Sequence, residues 1–207
     1  MRYKTVNMSK VQYLAIVMDS EEALQTPKVL ELLLWLAVIG LKNVCLYDKE
    51  GVLKNTKEVI MGRFKRKKMF KETTTIAPLF EQKYMNLEFI SFSDGKEAVA
   101  KAANFLFEKH YSIANVEKPN LKESNVAEAL MSIGCGGTEP NLMLIYGFAR
   151  CHLGFPAWRM SYTEIMHMGS LMSMNFGSLV KAIHQFTSIS RDLIMDHLFP
   201  LSFPFPS

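Results

Sequence analysis

Four short apolar runs, each standing between stretches of helical pattern, set the strongest limit on what this chain can fold into. Tyr13 to Met18 is almost continuously apolar and ends at Asp19, as a strand buried on both faces would. Asn43 to Tyr47, Leu87 to Phe92 and Leu142 to Tyr146 repeat the pattern. Between them Ser20 or Asp19 can cap a helix that carries Pro27 and stops near Gly40, with Glu21 and Glu22 in its first turn. A basic helix is expected from Lys54 to Lys71, and Pro78 marks a break. Asp94 to Glu97 has a capping-box pattern, followed by a face of Val99, Ala102, Ala103 and Leu106. Residues 112 to 124 read as a polar loop with Pro119, Asn125 caps a short helix to Ile133, and Gly134 to Pro140 is a turn. A last helix is expected from Asn175 to about Leu193, with Val180, Ile183, Phe186 and Thr187 on one face. Strand and helix alternating in this way imply an α/β domain: a mainly parallel central sheet with helices on both faces.

Size and charge narrow the function classes. The 207 residues suit one domain, and a net charge of +4 does not call for nucleic acid. Cys45, Cys135 and Cys151 are odd in number and widely spaced, which fits neither a disulfide framework nor a zinc site and points to a reducing compartment. The longest apolar run, Leu32 to Ile39, has eight residues, whereas a membrane-spanning helix needs about 20. Gly134-Cys135-Gly136-Gly137 is followed by no Lys-Ser/Thr pair and is no P-loop. Cys151 beside His152 has no third member to make a nucleophilic site. The basic cluster Arg63, Lys65, Arg66, Lys67, Lys68 and Lys71 is interleaved with Phe64, Met69 and Phe70, and reads either as a solvated helix face or as a contact with anionic lipid.

Two segments resemble the cis-prenyltransferases. Catalytic members open with a strand ending Met-Asp-Gly-Asn-x-Arg-Trp, whose Asp holds magnesium and whose loop grips an allylic diphosphate. Here Ala15-Ile16-Val17-Met18-Asp19 is followed by Ser20-Glu21-Glu22-Ala23, so two carboxylates stand where the family places a guanidinium. They would repel a diphosphate, and Asp19, without a phosphate to share magnesium, is expected to act as a helix cap instead. The second segment resembles Arg-Thr-Ser-Gly, a further Arg-x-Ser and a Phe-x-x-Trp-Gln-x-x-Tyr-x-Glu run. Its counterparts are Leu144 to Gly147, Arg150 with His152, and Phe155, Trp158, Arg159, Tyr162 and Glu164. Leu144 replaces the first Arg, Arg150 matches the second, and His152 stands near the Ser.

The stretches Leu153 to Trp158, Tyr162 to Ile165, Ser20 to Ala23 and Asn43 to Asp48 are most similar to the plant form of the non-catalytic, Nogo-B-receptor-like subunit of dehydrodolichyl diphosphate synthase. That resemblance covers nearly all of residues 10 to 190. It implies an accessory subunit, inactive alone, that pairs as a heterodimer or larger assembly with a catalytic cis-prenyltransferase for dolichol synthesis and protein glycosylation; the alternatives are a scaffold or receptor-like protein with no role in catalysis, or an active homodimeric cis-prenyltransferase. Magnesium and the isopentenyl and allylic diphosphates would belong to the catalytic partner, with none of them bound by this chain alone. Arg150 and His152 would be remnants of substrate binding, and Phe155, Trp158, Arg159, Tyr162 and Glu164 would lie at the interface. The expected location is the cytosolic face of the endoplasmic reticulum membrane, reached through the complex. The organisation expected is an arm at residues 1–10 without the relatives' membrane segments, a domain at 11–195, and a disordered Pro/Phe-rich tail at 196–207. The family's closing Arg-x-Gly is answered only by Arg191-Asp192-Leu193, which lacks the glycine.

Overall fold

A computed structural model describes residues 10–73, 85–111 and 122–198, without the side chains of 68–73, 110–111 and 189–198. The arm before residue 10, Pro78, Pro119 and the tail from residue 199 lie outside the described residues. The four expected strands are present as β1 (Tyr13–Met18), β2 (Asn43–Asp48), β3 (Asn86–Ser91) and β4 (Leu142–Tyr146). A fifth, β5 (Glu164–Gly169), was not expected from the sequence. All four pairings are parallel, in the order β3-β2-β1-β4-β5. Every residue of β1 and of β4 is buried, whereas β5 is exposed or half-buried throughout.

Several boundaries differ from expectation. The first helical region divides into α1 (Ser20–Ala23) and α2 (Thr26–Ile39), with Pro27 in the first turn of α2, where a missing N–H costs little. The basic stretch divides into α3 (Val52–Asn55) and α4 (Lys57–Thr73). The capping box forms one turn earlier than expected, between Ser91 and Asp94. In α5 (Lys96–Tyr111) the buried face is Ala98, Ala102 and Leu106, so Val99 and Ala103 point outward. Lys122 precedes α6 (Glu123–Ser132), and Asn125 sits inside its first turn with its side-chain oxygen accepting from the Lys122 N–H. The last helix, α7 (Phe176–Leu198), buries Leu179, Ala182, Ile183 and Thr187 and leaves Val180 half-exposed. Its range takes in Arg191 to Leu193 and the first residues of the expected tail.

The alternation of side chains along β1 divides the core. Leu14, Ile16 and Met18 face a large cluster built with α2, α4 and α7. Tyr13, Ala15 and Val17 face a smaller one closed by Phe155, Leu153 and Met160. A third cluster joins α5 to α6, and Trp158 packs against it.

Candidate functional site

The carboxyl ends of parallel strands are where open α/β sheets place ligands. Here that end holds a hollow of about 190 Å³ lined by Asp19, Glu21, Glu22, Gln25, Phe148 and Met172. Asp19 occupies the cap position of α1, but its side chain makes no cap bond, contrary to expectation. Instead its Oδ2 accepts from the Phe148 N–H at 2.9 Å. This contact depends on Gly147, whose φ is +119° and whose Cβ, were there one, would collide with the Asp19 carboxylate. Glu22 is 8% exposed, and its Oε1 accepts from the Leu171 N–H at 3.1 Å. Deeper still, Asp48 is fully buried and takes the N–H groups of Val52 and Leu53, each at 2.9 Å, capping α3.

This donor set suits a magnesium diphosphate poorly. Among the described residues three carboxylates line the hollow and no Arg or Lys does, so phosphate oxygens would meet charge of their own sign. Asp19 and Glu22 already accept main-chain hydrogen bonds, and Leu144 lies fully buried inside β4. Among the described residues no group of three His, Cys, Asp or Glu converges to hold a metal ion. Arg150 is exposed and His152 half-buried with its Nδ1 unpartnered, and neither lines the hollow. The structure does not bring these two together with Asp19.

The residues from Phe155 to Glu164 divide between interior and surface. Phe155 is 1% exposed and meets the Tyr47 ring edge-on at 5.5 Å, while the Tyr47 hydroxyl donates to the Leu153 carbonyl at 2.8 Å. Trp158 packs inside the chain on the α5–α6 cluster. Arg159 is 2% exposed. Its guanidinium forks onto Glu88 at 2.9 and 2.8 Å and reaches the Tyr13 hydroxyl and the Thr138 carbonyl, each at 3.0 Å. The Tyr13 hydroxyl also donates to Glu88. Burial alone would lower the Arg159 pKa, but the hydrogen bonds and charge of Glu88 outweigh it and hold the group above its ordinary value. A Cβ on Gly137 would come within 2.6 Å of Arg159 Cζ, so part of the Gly-rich turn exists to admit this side chain. Phe155 and Arg159, expected as surface contacts, are thus interior residues of this chain. Tyr162, just before β5, and Glu164, its first residue, are both exposed.

Sequence reasoning missed the Arg159–Glu88 pair. The signal was an Arg in the Phe-x-x-Trp run where the resemblance has Gln, together with a lone Glu inside the third strand. Neither residue alone says where the other lies.

With this geometry in place, comparison with known proteins identifies the fold. The chain superposes on a probable undecaprenyl diphosphate synthase from Campylobacter jejuni with a TM-score of 0.53 at 20% identity, covering 86% of this chain and 95% of that one. It superposes on lavandulyl diphosphate synthase from Lavandula x intermedia with a TM-score of 0.59 at 12% identity, covering 87% and 97%. The fold is that of the undecaprenyl diphosphate synthases. In sequence the chain is similar to the human dehydrodolichyl diphosphate synthase complex subunit NUS1, 21% identical over 193 residues. The mouse subunit is 21% identical over 188 residues. These matches take in 86% and 83% of this chain but 64% and 62% of the relatives, so the chain spans less than two thirds of their length. No family model matches it. The chain thus has the cis-prenyltransferase fold and is similar in sequence to NUS1.

Proposed function

We propose that this protein is the accessory subunit of a heteromeric cis-prenyltransferase, binding and stabilising a catalytic partner that makes polyprenyl diphosphate for dolichol and protein glycosylation. The observation that carries this reading is the hollow at the carboxyl end of β1, which offers carboxylates where a diphosphate requires cations. Magnesium and both diphosphate substrates then belong to the partner. The complex is placed at the endoplasmic reticulum, although no helix among the described residues is long and apolar enough to cross a membrane.

We assign the partner to the outer edge of β5, which pairs with no further strand among the described residues. A strand with an unpaired edge invites pairing with another chain, and proteins normally cover or blunt such edges. Around this one Phe148, Tyr162, Ile165, Met172 and Phe176 are all exposed. Large aromatic side chains of this kind dominate interface energies.

The deciding measurement is magnesium-dependent incorporation of isopentenyl diphosphate by the purified chain, by a catalytic partner, and by the two together. The expected result is none from this chain alone and a higher rate from the pair than from the partner. Incorporation by the chain alone would falsify the reading, and binding without a gain in rate would make the protein a scaffold. Tyr162→Ala should leave the fold intact and weaken association about tenfold or more.

A further inference from the structure

The outer face of α4 has no place in that reading. Residues 54–71 hold eight Lys or Arg and one Glu, a balance of +7 against +4 for the whole chain, so the rest of the protein is net acidic. The inner face of α4 is fixed in the core by Ile60 and Phe64, 0% and 6% exposed. Arg63, Lys65, Arg66 and Lys67 are consequently held outward, and all four are exposed. None of them forms an ion pair among the described residues, where the salt bridges are Lys28–Glu31, Lys54–Asp94 and Arg159–Glu88. Arg66 Nε donates only to the Gly62 carbonyl one turn back. Between these cations Val59 is 49% exposed.

We infer that this face of α4 docks onto the surface of a bilayer containing anionic phospholipid. Unpaired basic side chains match the phosphate-bearing plane, and their long stems let Val59 approach the acyl boundary beneath it. Among the described side chains of α4, residues 57–67, the exposed ones include no aromatic, Asn or Gln to stack on bases or read their edges, which disfavours nucleic acid. Position allows the membrane and a partner together. α4 packs on α2 and α3, and α3 packs on β2 and β3, whereas β5 is the opposite edge of the sheet. The inference therefore stands or falls independently of the proposed partnership.

The test is sedimentation of the full chain with phosphatidylcholine vesicles, with and without phosphatidylserine. Binding is expected only with phosphatidylserine and should weaken steeply as salt is raised. The triple variant Arg63→Gln, Lys65→Gln, Arg66→Gln should lose about a hundredfold in affinity, since each cation near an anionic surface contributes about a factor of five. Its circular-dichroism melt should match the parent, and Lys181→Gln on α7, an exposed lysine elsewhere, should bind normally. Should the triple variant melt early, Val59→Asp supplies the same comparison, with weaker vesicle binding expected. Equal binding to neutral vesicles, parent-like binding by folded variants, or displacement by inorganic phosphate would overturn the inference. So would tighter binding to a DNA duplex than to the vesicles at the same salt.

Discussion

At the start of β1 the Tyr13 hydroxyl shares Arg159 with Glu88, whereas at its end Asp19 and Glu22 turn to main-chain N–H groups. Both ends of one strand carry buried or half-buried charge, but they satisfy it differently. The first holds a cation and an anion in a bidentate pair, and losing either leaves a charge stranded in the interior. The second holds anions only, each steadied by a peptide dipole, with room for solvent beside them. A paired charge fixes a fold, whereas a pocket of carboxylates, two of them already held by main-chain N–H groups, has little to offer a phosphate.

The sharpest way to break this comparison is Arg159→Leu. Removing the guanidinium leaves Glu88 and the Tyr13 hydroxyl without their partner and opens space beside Gly137. Glu88 keeps some solvent access, so the loss should fall at the lower end for buried pairs, about 3 kcal/mol by urea unfolding. The double variant Arg159→Leu, Glu88→Leu should recover much of it. If the single variant unfolds at the parent's midpoint, the pair is not structural.

At the other end Glu22→Ala should cost less, about 2 kcal/mol. It removes one acceptor and leaves the buried Leu171 N–H unsatisfied. Glu22→Gln keeps a side-chain oxygen and should restore most of the loss in a thermal melt. A Glu22→Gln variant as unstable as Glu22→Ala would mean that charge, and not the hydrogen bond, holds α1 against the turn after β5.

How much of this was legible in the sequence follows from the same physics. β1 and β4 were readable because strands buried on both faces leave continuous apolar runs. β5 was not, because an edge strand with one open side is free to carry Glu164 and His167 among its methionines. The buried face of α5 slipped by one residue because alanine and valine crowd both sides of that helix, and only the position of α6 decides between them. Trp158 looked like a surface anchor because its partners, α5 and α6, are dozens of residues away in the chain. The acidic substitution at Glu21 and Glu22 was plain in sequence, but the turning of Asp19 toward Phe148 was not, since it depends on Gly147, in the bend after another strand.

A third measurement probes the strand beside β1. Cys45 in β2 is fully buried, and burial pushes its thiol up to about 12, with the nearby Arg159 charge opposing only in part. A raised folded value for an acid means stability complete below the unfolded thiol's range and lost as pH climbs beyond it. Between about pH 9 and pH 12 the unfolding free energy should fall by about 1 kcal/mol per pH unit from this group. Tyr47 and Tyr146, also raised by burial, add to the slope above about pH 10. Cys45→Ala should flatten the first part of the curve, and at neutral pH a thiol reagent should label exposed Cys151 well before Cys45. Equal labelling rates in the native protein would mean that the sheet opens far more readily than its burial implies.

The smallest expected effect is the most informative about the mouth of the sheet. Asp19→Asn keeps an oxygen for the Phe148 N–H and removes the charge that a magnesium ligand would need. Phe148 is exposed, so water can replace much of that hydrogen bond, and the stability change should stay within about 0.5 kcal/mol. On the reading offered above, the substituted chain paired with a catalytic partner should also leave the magnesium dependence and rate of prenyl transfer unchanged. A rate loss of tenfold or more, at equal stability and equal partner affinity, would restore Asp19 to the chemistry. It would mean that the carboxylate leaves Phe148 when the complex assembles and that the acidic hollow is completed by cations from the partner. An unchanged rate, beside the large loss expected for Arg159→Leu, would place this strand's contribution at its structural end.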